Sequence, residues 1–596
     1  MPPFYKMKAI MAISNKRLIQ RISVVTMLLS VTIASNAVNS PFYGRVTNAA
    51  DSPIEGVLIL LQNTVNNHSI AVSSGVDGHY AFPGSRLERG SYTLEIRATG
   101  FSLAPNTPRN VSINGQPKER KLTLVSLADK DKLASQLTSL EWLQSWPGSQ
   151  QEKEALTHNL VNCMFCHSLE RIARSTYDAD QLLSVMQRML TYETDHSSAQ
   201  RIQIVAPPQP LDNLSWFGTD AKKIAAYLAT VNLSNNRDQW PYEFKLLPRP
   251  AGAETQAIIT VFPIPRANSV VHDLDVDQDG RVWFGNTGWD YLGMLDPRSG
   301  QFSEWEAPNF LPEAPAGTDR ILGVQDIQVD AQGHVWAAVG GTKLARFLPK
   351  EEKWQAFDLP VIWRNPFLSP VREQDTGIWA TGLAGPPNGD QRHETAYKLD
   401  IETGKLSQGI NLFDHMPTPD DPYHSDPLNY CYMMDQDING DFLCTAPVPS
   451  GIIRASLTTQ KSVFYPTPTP HAYPRRGYRD DANRFWFSEF YADQIAVLDL
   501  NTNEFKEYPL TPKFISPYYA RPDKQGYIWS SSTGSDRLLR LDPNTGEVLK
   551  FLMPVYYDAR KVVVDESAGH TTIWLPSKNT AQLIRVELMN DPVSTH

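Results

Sequence analysis

The chain has 596 residues, with 55 Lys and Arg against 65 Asp and Glu, a formal charge of -10 that argues against nucleic acid or anionic lipid as a partner. Its length allows several domains, and 45 prolines with 34 glycines point to a loop-rich, mainly β protein. Only four cysteines are present.

The first residues carry Lys6, Lys8, Lys16, Arg17 and Arg21 with no acid, then the apolar run Ile22 to Ala34 and Ser35-Asn36-Ala37. This is the pattern of a signal peptide over residues 1–37, cut after Ala37, and the apolar run is too short for a transmembrane helix. Loss of these five basic residues takes the formal charge to about -15. The mature protein is expected in the periplasm or outside the cell, with no membrane span.

From 40 to 126, alternating runs such as Val57-Leu58-Ile59-Leu60-Leu61 lie between turn clusters, as in a small β-sandwich. The order Gly44-Arg45-Val46, Pro53-Ile54-Glu55-Gly56-Val57, Asp77-Gly78-His79-Tyr80-Ala81-Phe82 and Gly90 to Phe101 resembles the carboxypeptidase regulatory-like domain. That resemblance implies a transthyretin-like or carbohydrate-binding-like fold. The tyrosines fall on the alternating apolar positions and are expected in the core.

From 127 to 235 the hydrophobic period becomes helical. Leu133, Leu137, Leu140 and Leu143 share one face of a helix stopped by Trp146-Pro147-Gly148. A second helix, about 150 to 161, leads into Asn162-Cys163-Met164-Phe165-Cys166-His167. This C-x-x-C-H spacing is the attachment signature of a c-type haem: two thiols reach the two porphyrin vinyl groups, and the adjacent imidazole takes the proximal face of the iron. A third helix, capped near Thr176 or Asp178, carries Leu182, Leu183, Met186, Met189 and Leu190. The last, 220 to 231, resembles the C-terminal helix of a class I cytochrome c, with Tyr227 at the position of its packing aromatic. The loop Ile204 to Phe217 lacks the family's distal methionine. Met189 is the first candidate for the distal ligand, with Met186, His196 or an open iron as alternatives.

From 250 to 590 a unit of strand, D-x-x-G turn, Trp-bearing strand and two further strands recurs around Trp283, Trp336, Trp379, Leu443, Trp486, Trp529 and Trp574. A period of roughly 43 residues is that of a seven-bladed β-propeller. The last unit lacks its outer strand, which Ala257 to Pro263 can supply. Asp275-x-Asp277-x-Asp279-Gly280 and Asp435-x-Asp437-x-Asn439-Gly440 imitate the start of an EF-hand loop but have Asn286 and Ala446 at its twelfth position, so they read as blade turns. Cys431 and Cys444 flank the second turn and are compatible with a disulfide or two buried thiols.

The blades resemble those of streptogramin B lyase, with Trp486-Phe487-Ser488-Glu489 and Asp493 to Asp499 as the nearest copy of the family motif. The resemblance implies funnel histidines and glutamates around magnesium, for which His272 and Glu489 are the candidates; other blades depart from the motif. The inner strands otherwise carry Arg475, Arg476, Tyr518, Tyr519 and Arg560, a cationic set suited to an anionic or oxygen-rich small molecule.

The fold class expected is therefore a β-sandwich, an all-α cytochrome c domain and a seven-bladed propeller. The function expected is electron transfer between one covalent haem c and a small substrate or periplasmic partner, with His272, Glu489, Arg475 and Tyr519 at the substrate. Alternatives are a magnesium-dependent lactone lyase and a carbohydrate- or surface-binding protein.

Overall fold

The computed structural model describes residues 40–154, 156, 164, 167–189, 191, 221–234, 237–308, 323–339, 343–360, 363–364, 367–383, 394–412 and 431–589. The proposed leader, Cys163, Cys166, His196 and the loop 204–217 lie outside the described residues. The fold is mainly β, and the chain divides into two compact units at Ser126/Leu127.

The first unit is a sandwich. One sheet orders His79–Phe82, Phe42–Asn48, Lys118–Ser126 and Phe101–Leu103; the other orders Ser69–Ser73, Leu58–Asn63, Gly90–Arg97 and Asn110–Ile113. Alternation buries Phe42, Val46, Tyr80, Phe82, Leu122 and Leu124 from the first sheet, and Ile59, Leu61, Tyr92, Leu94 and Val111 from the second. The tyrosines at 80 and 92 are core residues, as their phase requires. Gly44 permits a close approach of two strands, since a Cβ there would lie 1.8 Å from the Arg120 carbonyl oxygen.

The second unit begins with short helices. Where one helix was expected across Leu133 to Leu143, there are two, α1 (Lys130–Ala134) and α2 (Ser139–Ser145). The break lies at Thr138, whose hydroxyl accepts from Glu141 N at 3.2 Å while the Glu141 carboxylate accepts from Thr138 N at 2.9 Å. This reciprocal cap starts a new helix inside the apolar stripe. After α3 (Glu170–Ala173), Asp178 caps α4 (Ala179–Met189) by accepting from Gln181 N at 2.9 Å, and α5 (Ala221–Val231) follows.

Among the described residues, seven four-stranded antiparallel sheets complete the unit. Their inner strands are Val271–Val276, Val324–Val329, Trp363–Arg364, Met434–Gln436, Pro474–Arg479, Pro517–Pro522 and Val563–Asp565, defining blades 1 to 7 in that order. The inner strands of blades 4, 5, 6, 7, 1 and 2 touch in that order, and the Asp326 carboxylate of blade 2 accepts from Leu368 N of blade 3 at 2.7 Å. The outer strand of blade 7 is Ala257–Pro263, antiparallel to Gln582–Leu588 from Ala257↔Leu588 to Pro263↔Gln582. The ring is thus closed by pairing the two ends of the propeller segment.

The blade repeat has a local cause. In the D-x-x-G turns Gly280, Gly333, Gly440 and Gly526 have φ of 75, 78, 79 and 88°, conformations that favour glycine. The turn aspartate then accepts from the indole N–H six residues on: Asp277 from Trp283 at 2.8 Å, Asp330 from Trp336 at 2.9 Å, Asp480 from Trp486 at 2.9 Å and Asp523 from Trp529 at 2.7 Å. In the EF-hand-like turn of blade 1, Asp277 is consumed by this bond, by Arg281 and by backbone N–H groups.

Candidate functional site: the helical segment and the propeller channel

Two places gather chemistry, and both lie in the second unit. In the helical segment, His167 Nδ1 is 2.8 Å from the Ser168 carbonyl oxygen. A carbonyl can only accept, so Nδ1 carries the proton and Nε2 keeps its lone pair. Burial lowers the imidazole pKa, which favours the neutral ring. Met164 is fully buried, and Leu169 N donates to Ser139 Oγ at 3.1 Å, tying the motif's flank to α2. Tyr227 of α5 packs edge-on against Trp146 at the end of α2, with ring centroids 6.1 Å apart, and donates to the Pro147 carbonyl oxygen at 3.1 Å. Met186 lies in the core with Leu182 and Leu183, whereas Met189, the last residue of α4, is only half-buried.

The helices dock on the propeller at the end where its inner strands begin. Leu140 N donates to the Gly534 carbonyl oxygen at 2.7 Å, and Gln144 Nε2 donates to that of Lys513 at 3.1 Å. A continuous apolar cluster joins Leu140, Trp142, Leu143, Met164 and Ile224 to Phe490, Phe514, Ile515 and Tyr518.

The propeller channel is built by a repeated irregularity. The ladder between first and second strands shifts register at Val271/Leu274, Val324/Ile327, Pro474/Gly477 and Pro517/Ala520. The residues inside these bulges are His272-Asp273, Gln325-Asp326, Arg475-Arg476 and Tyr518-Tyr519, and Arg560-Lys561 precede the inner strand of blade 7. A bulge turns two successive side chains toward one side where a regular strand would turn one. Two tiers result.

In the first tier Arg560 grips Asp558 at 2.8 and 2.9 Å and donates to the Tyr518 hydroxyl at 3.0 Å; that hydroxyl also bonds Tyr432 of blade 4. Arg475 fills a box of rings, its guanidinium carbon 4.7, 4.6, 5.0 and 5.4 Å from the centroids of Tyr432, Tyr473, Phe490 and Tyr518. Burial alone would raise the Tyr518 pKa, but Arg560 and Arg475 hold it below its ordinary value. Tyr432, by contrast, is pushed up by burial and by Tyr518. His272 lies 3.4 Å from Asp273, and its ring is 5.7 Å from that of Phe367.

In the second tier Arg476 binds both oxygens of Asp273 and stands 3.7 Å from Asp326, whose carboxylate is 3.4 Å from Lys561 Nζ. Burial works to raise the Asp273 pKa, yet Arg476, His272 and Lys561 hold it well below the carboxylate range. Burial wins at Asp326, which is pushed up to about 6. Tyr519 sits beside Arg476, their Cα atoms being partners of the parallel strands, and the guanidinium lies 5.2 Å from the tyrosine ring.

The channel therefore brings together His272, Arg475, Arg476, Tyr518, Tyr519 and Arg560. Glu489 is placed elsewhere. Its buried carboxyl group is pushed up to about 9, first by burial and then by the charge of Glu507 on the outer strand of the same blade, and neither of its oxygens has a hydrogen-bond partner among the described residues. Glu507 itself accepts from Thr469 N and Oγ1 at 2.9 and 2.8 Å. His272 and Glu489 thus face different partners, and among the described residues no three His, Cys, Asp or Glu side chains are grouped as metal ligands.

Residues 42–125 match the family model of the carboxypeptidase regulatory-like domain. No curated protein matches the chain. Solved structures similar to it include virginiamycin B lyase from Staphylococcus aureus, 15% identical over 56% of this chain and 99% of that one, TM-score 0.44. A streptogramin B lyase is 18% identical over 57% and 100%, TM-score 0.45. The extracellular domain of a putative hybrid two component system from B. thetaiotaomicron is 13% identical over 60% and 45%, TM-score 0.41.

Sequence reasoning passed over Tyr432, Asp273, Asp326, Lys561 and the Arg372–Asp435 pair, bound at 2.7 and 2.8 Å. A signal for three of them was present: Asp273 and Asp326 follow His272 and Gln325 inside a bulge, and Lys561 follows Arg560 just before the inner strand of blade 7. Cys431 and Cys444 form a disulfide, with Cα atoms 5.8 Å apart. No described helix is long and apolar enough to cross a membrane.

Proposed function

We propose that the chain is an exported electron-transfer protein that holds one covalent haem on Cys163, Cys166 and His167, and exchanges electrons with a small substrate or partner engaged by the propeller. The observation that carries this reading is the His167 bond to Ser168, which leaves Nε2 as the free ligand atom next to a C-x-x-C. A bound haem would supply one-electron redox chemistry. Trp146 and Tyr227 join the helices on either side of the motif, as a haem pocket of the class I type requires.

The docking of α2 on blades 5 and 6 supports coupling of the two sites. Phe490 and Tyr518 belong both to the cluster under α2 and to the box around Arg475, so packed side chains run from the helical segment to the first channel tier. There Tyr432 and Tyr473 are half-buried, Arg475 and Arg560 supply positive charge, and His272 can accept a proton. A lactone lyase would need His272 and Glu489 to share a magnesium ion, whereas the charged neighbour of Glu489 is Glu507, on the outer strand of its own blade.

The test is haem content followed by turnover. Protein exported from a host that matures cytochromes c should keep its haem through acid acetone extraction, and Cys163→Ala, Cys166→Ala should lose it. An anaerobic screen of small periplasmic metabolites should find compounds that reduce the haem. Extractable haem, or magnesium-dependent turnover that survives the double substitution, overturns the reading.

A further inference from the structure

Past the second tier, the inner strands present a third set of side chains. Alternation along a strand carries the channel face from Arg476 to Tyr478, from Tyr519 to Arg521, from Asp273 to Asp275, and in blade 4 to Asp435. This tier lies at the mouth away from the helical segment, because the inner strands begin under α2 and end here.

Its charges are unevenly matched. Asp435 is clamped by Arg372 at 2.7 and 2.8 Å and accepts from Arg479 N at 2.7 Å. The oxygens of Asp275 accept from Val276 N at 3.0 Å and Val329 N at 2.9 Å. Arg372 and Arg521 both approach the Tyr478 ring, each guanidinium carbon 4.3 Å from its centroid. Arg372 has Asp435, whereas half-buried Arg521 makes no hydrogen bond or ion pair among the described residues, and the carboxylate charge it feels is that of Asp275, beyond ion-pair distance. Two residues earlier on the same strand face, the Tyr519 hydroxyl is fully buried and also lacks a hydrogen-bond partner among the described residues. A buried donor left unmade costs about 1–3 kcal/mol, and a guanidinium fork stacked on a ring presents its in-plane N–H groups ready-oriented.

We infer that the channel mouth opposite the helical segment is a binding site for a small oxyanion, held by the Arg521 guanidinium and the Tyr519 hydroxyl, with Tyr478 as the stacking platform. The chemistry required is two or more acceptor oxygens on one anionic centre, which a carboxylate and a phosphate share. Nothing in it depends on the haem, so it stands or falls separately from the electron-transfer reading.

Isothermal titration of the full chain with inorganic phosphate and with sodium acetate, at constant ionic strength in chloride, tests the site. Saturable binding of at least one anion is expected, and which one binds distinguishes phosphate from carboxylate. Arg521→Gln should abolish it, and Tyr519→Phe should weaken it roughly tenfold or more. Lys353→Gln, on an exposed outer strand, should leave it unchanged. Tyr519→Phe removes only a hydroxyl without a partner, so it should fold and melt no lower than the parent in anion-free buffer, which keeps the test decisive if Arg521→Gln misfolds. No saturable binding of either anion, or equal affinity in Tyr519→Phe, overturns the inference.

Discussion

Arg476 in blade 5 holds both carboxylate oxygens of Asp273 in blade 1, 203 residues away in the chain and across the ring, with neither side chain exposed to solvent. Such a pair gains strong attraction at low dielectric but has lost the hydration of both ions. Its value is conditional on completeness. Arg476→Gln would leave the Asp273 and Asp326 charges with only His272 and Lys561 beside them and should destabilise the second unit by roughly 3–5 kcal/mol, read by urea denaturation. Replacing both Arg476 and Asp273 by Leu should cost clearly less than the sum of the single changes. Additive costs would refute the coupling.

The ring closure gives a second expectation. Val261, on the strand that completes blade 7, is buried opposite Ile584. Val261→Asp places an unpaired carboxylate at the seam and should cost more than about 3 kcal/mol or prevent folding. The same substitution at Val463, half exposed on the outer strand of blade 4, should stay within about 0.5 kcal/mol.

These two cases mark what was legible in the sequence. Blade number and the closing strand could be read because each rests on a local pattern: an aspartate, a glycine and a tryptophan at fixed spacing, and an alternating run without a partner. The identity of most channel residues was legible too, since His272, Arg475, Arg476, Tyr518, Tyr519 and Arg560 stand at one position of successive units. Their pairing was not. Asp273 and Arg476 meet only because the ring closes, and the bulges that turn adjacent residues inward leave no compositional mark. Glu489 was placed near the channel by strand order, but its partner Glu507 lies two strands outward. The single helix expected over Leu133 to Leu143 failed on a local detail, the Thr138–Glu141 cap, which was present as T-x-x-E.

For the haem reading, the distal side is open to test. Met189 is half-buried at the end of α4, while Met186 is packed in the core. Met189→Ala should abolish the weak red-edge absorption of a thioether bound to ferric haem and lower the potential. Met186→Ala should instead lower stability by roughly 2–5 kcal/mol with the band retained. If only His196→Ala removes the ligand signature, Met189 is not the ligand; if cyanide binds rapidly to the parent, the iron is open.

The Glu489–Glu507 pair predicts a pH dependence of stability whose sign is fixed. Burial and the neighbouring Glu507 carboxylate both oppose ionisation of Glu489 and push its pKa in the folded protein up to about 9 from an ordinary 4.5. Between these values the folded state holds a proton that the unfolded state has released, so this group makes stability fall as pH rises from about 4.5 to about 9. Glu489→Gln mimics the protonated group and cannot ionise. The variant should therefore match the parent near pH 5 and exceed it increasingly toward pH 8, with a difference growing by up to about 1.4 kcal/mol per pH unit. Denaturant midpoints at pH 5, 6.5 and 8 decide the matter: a Glu489→Gln curve parallel to the parent's would mean that Glu489 is already ionised in the folded protein.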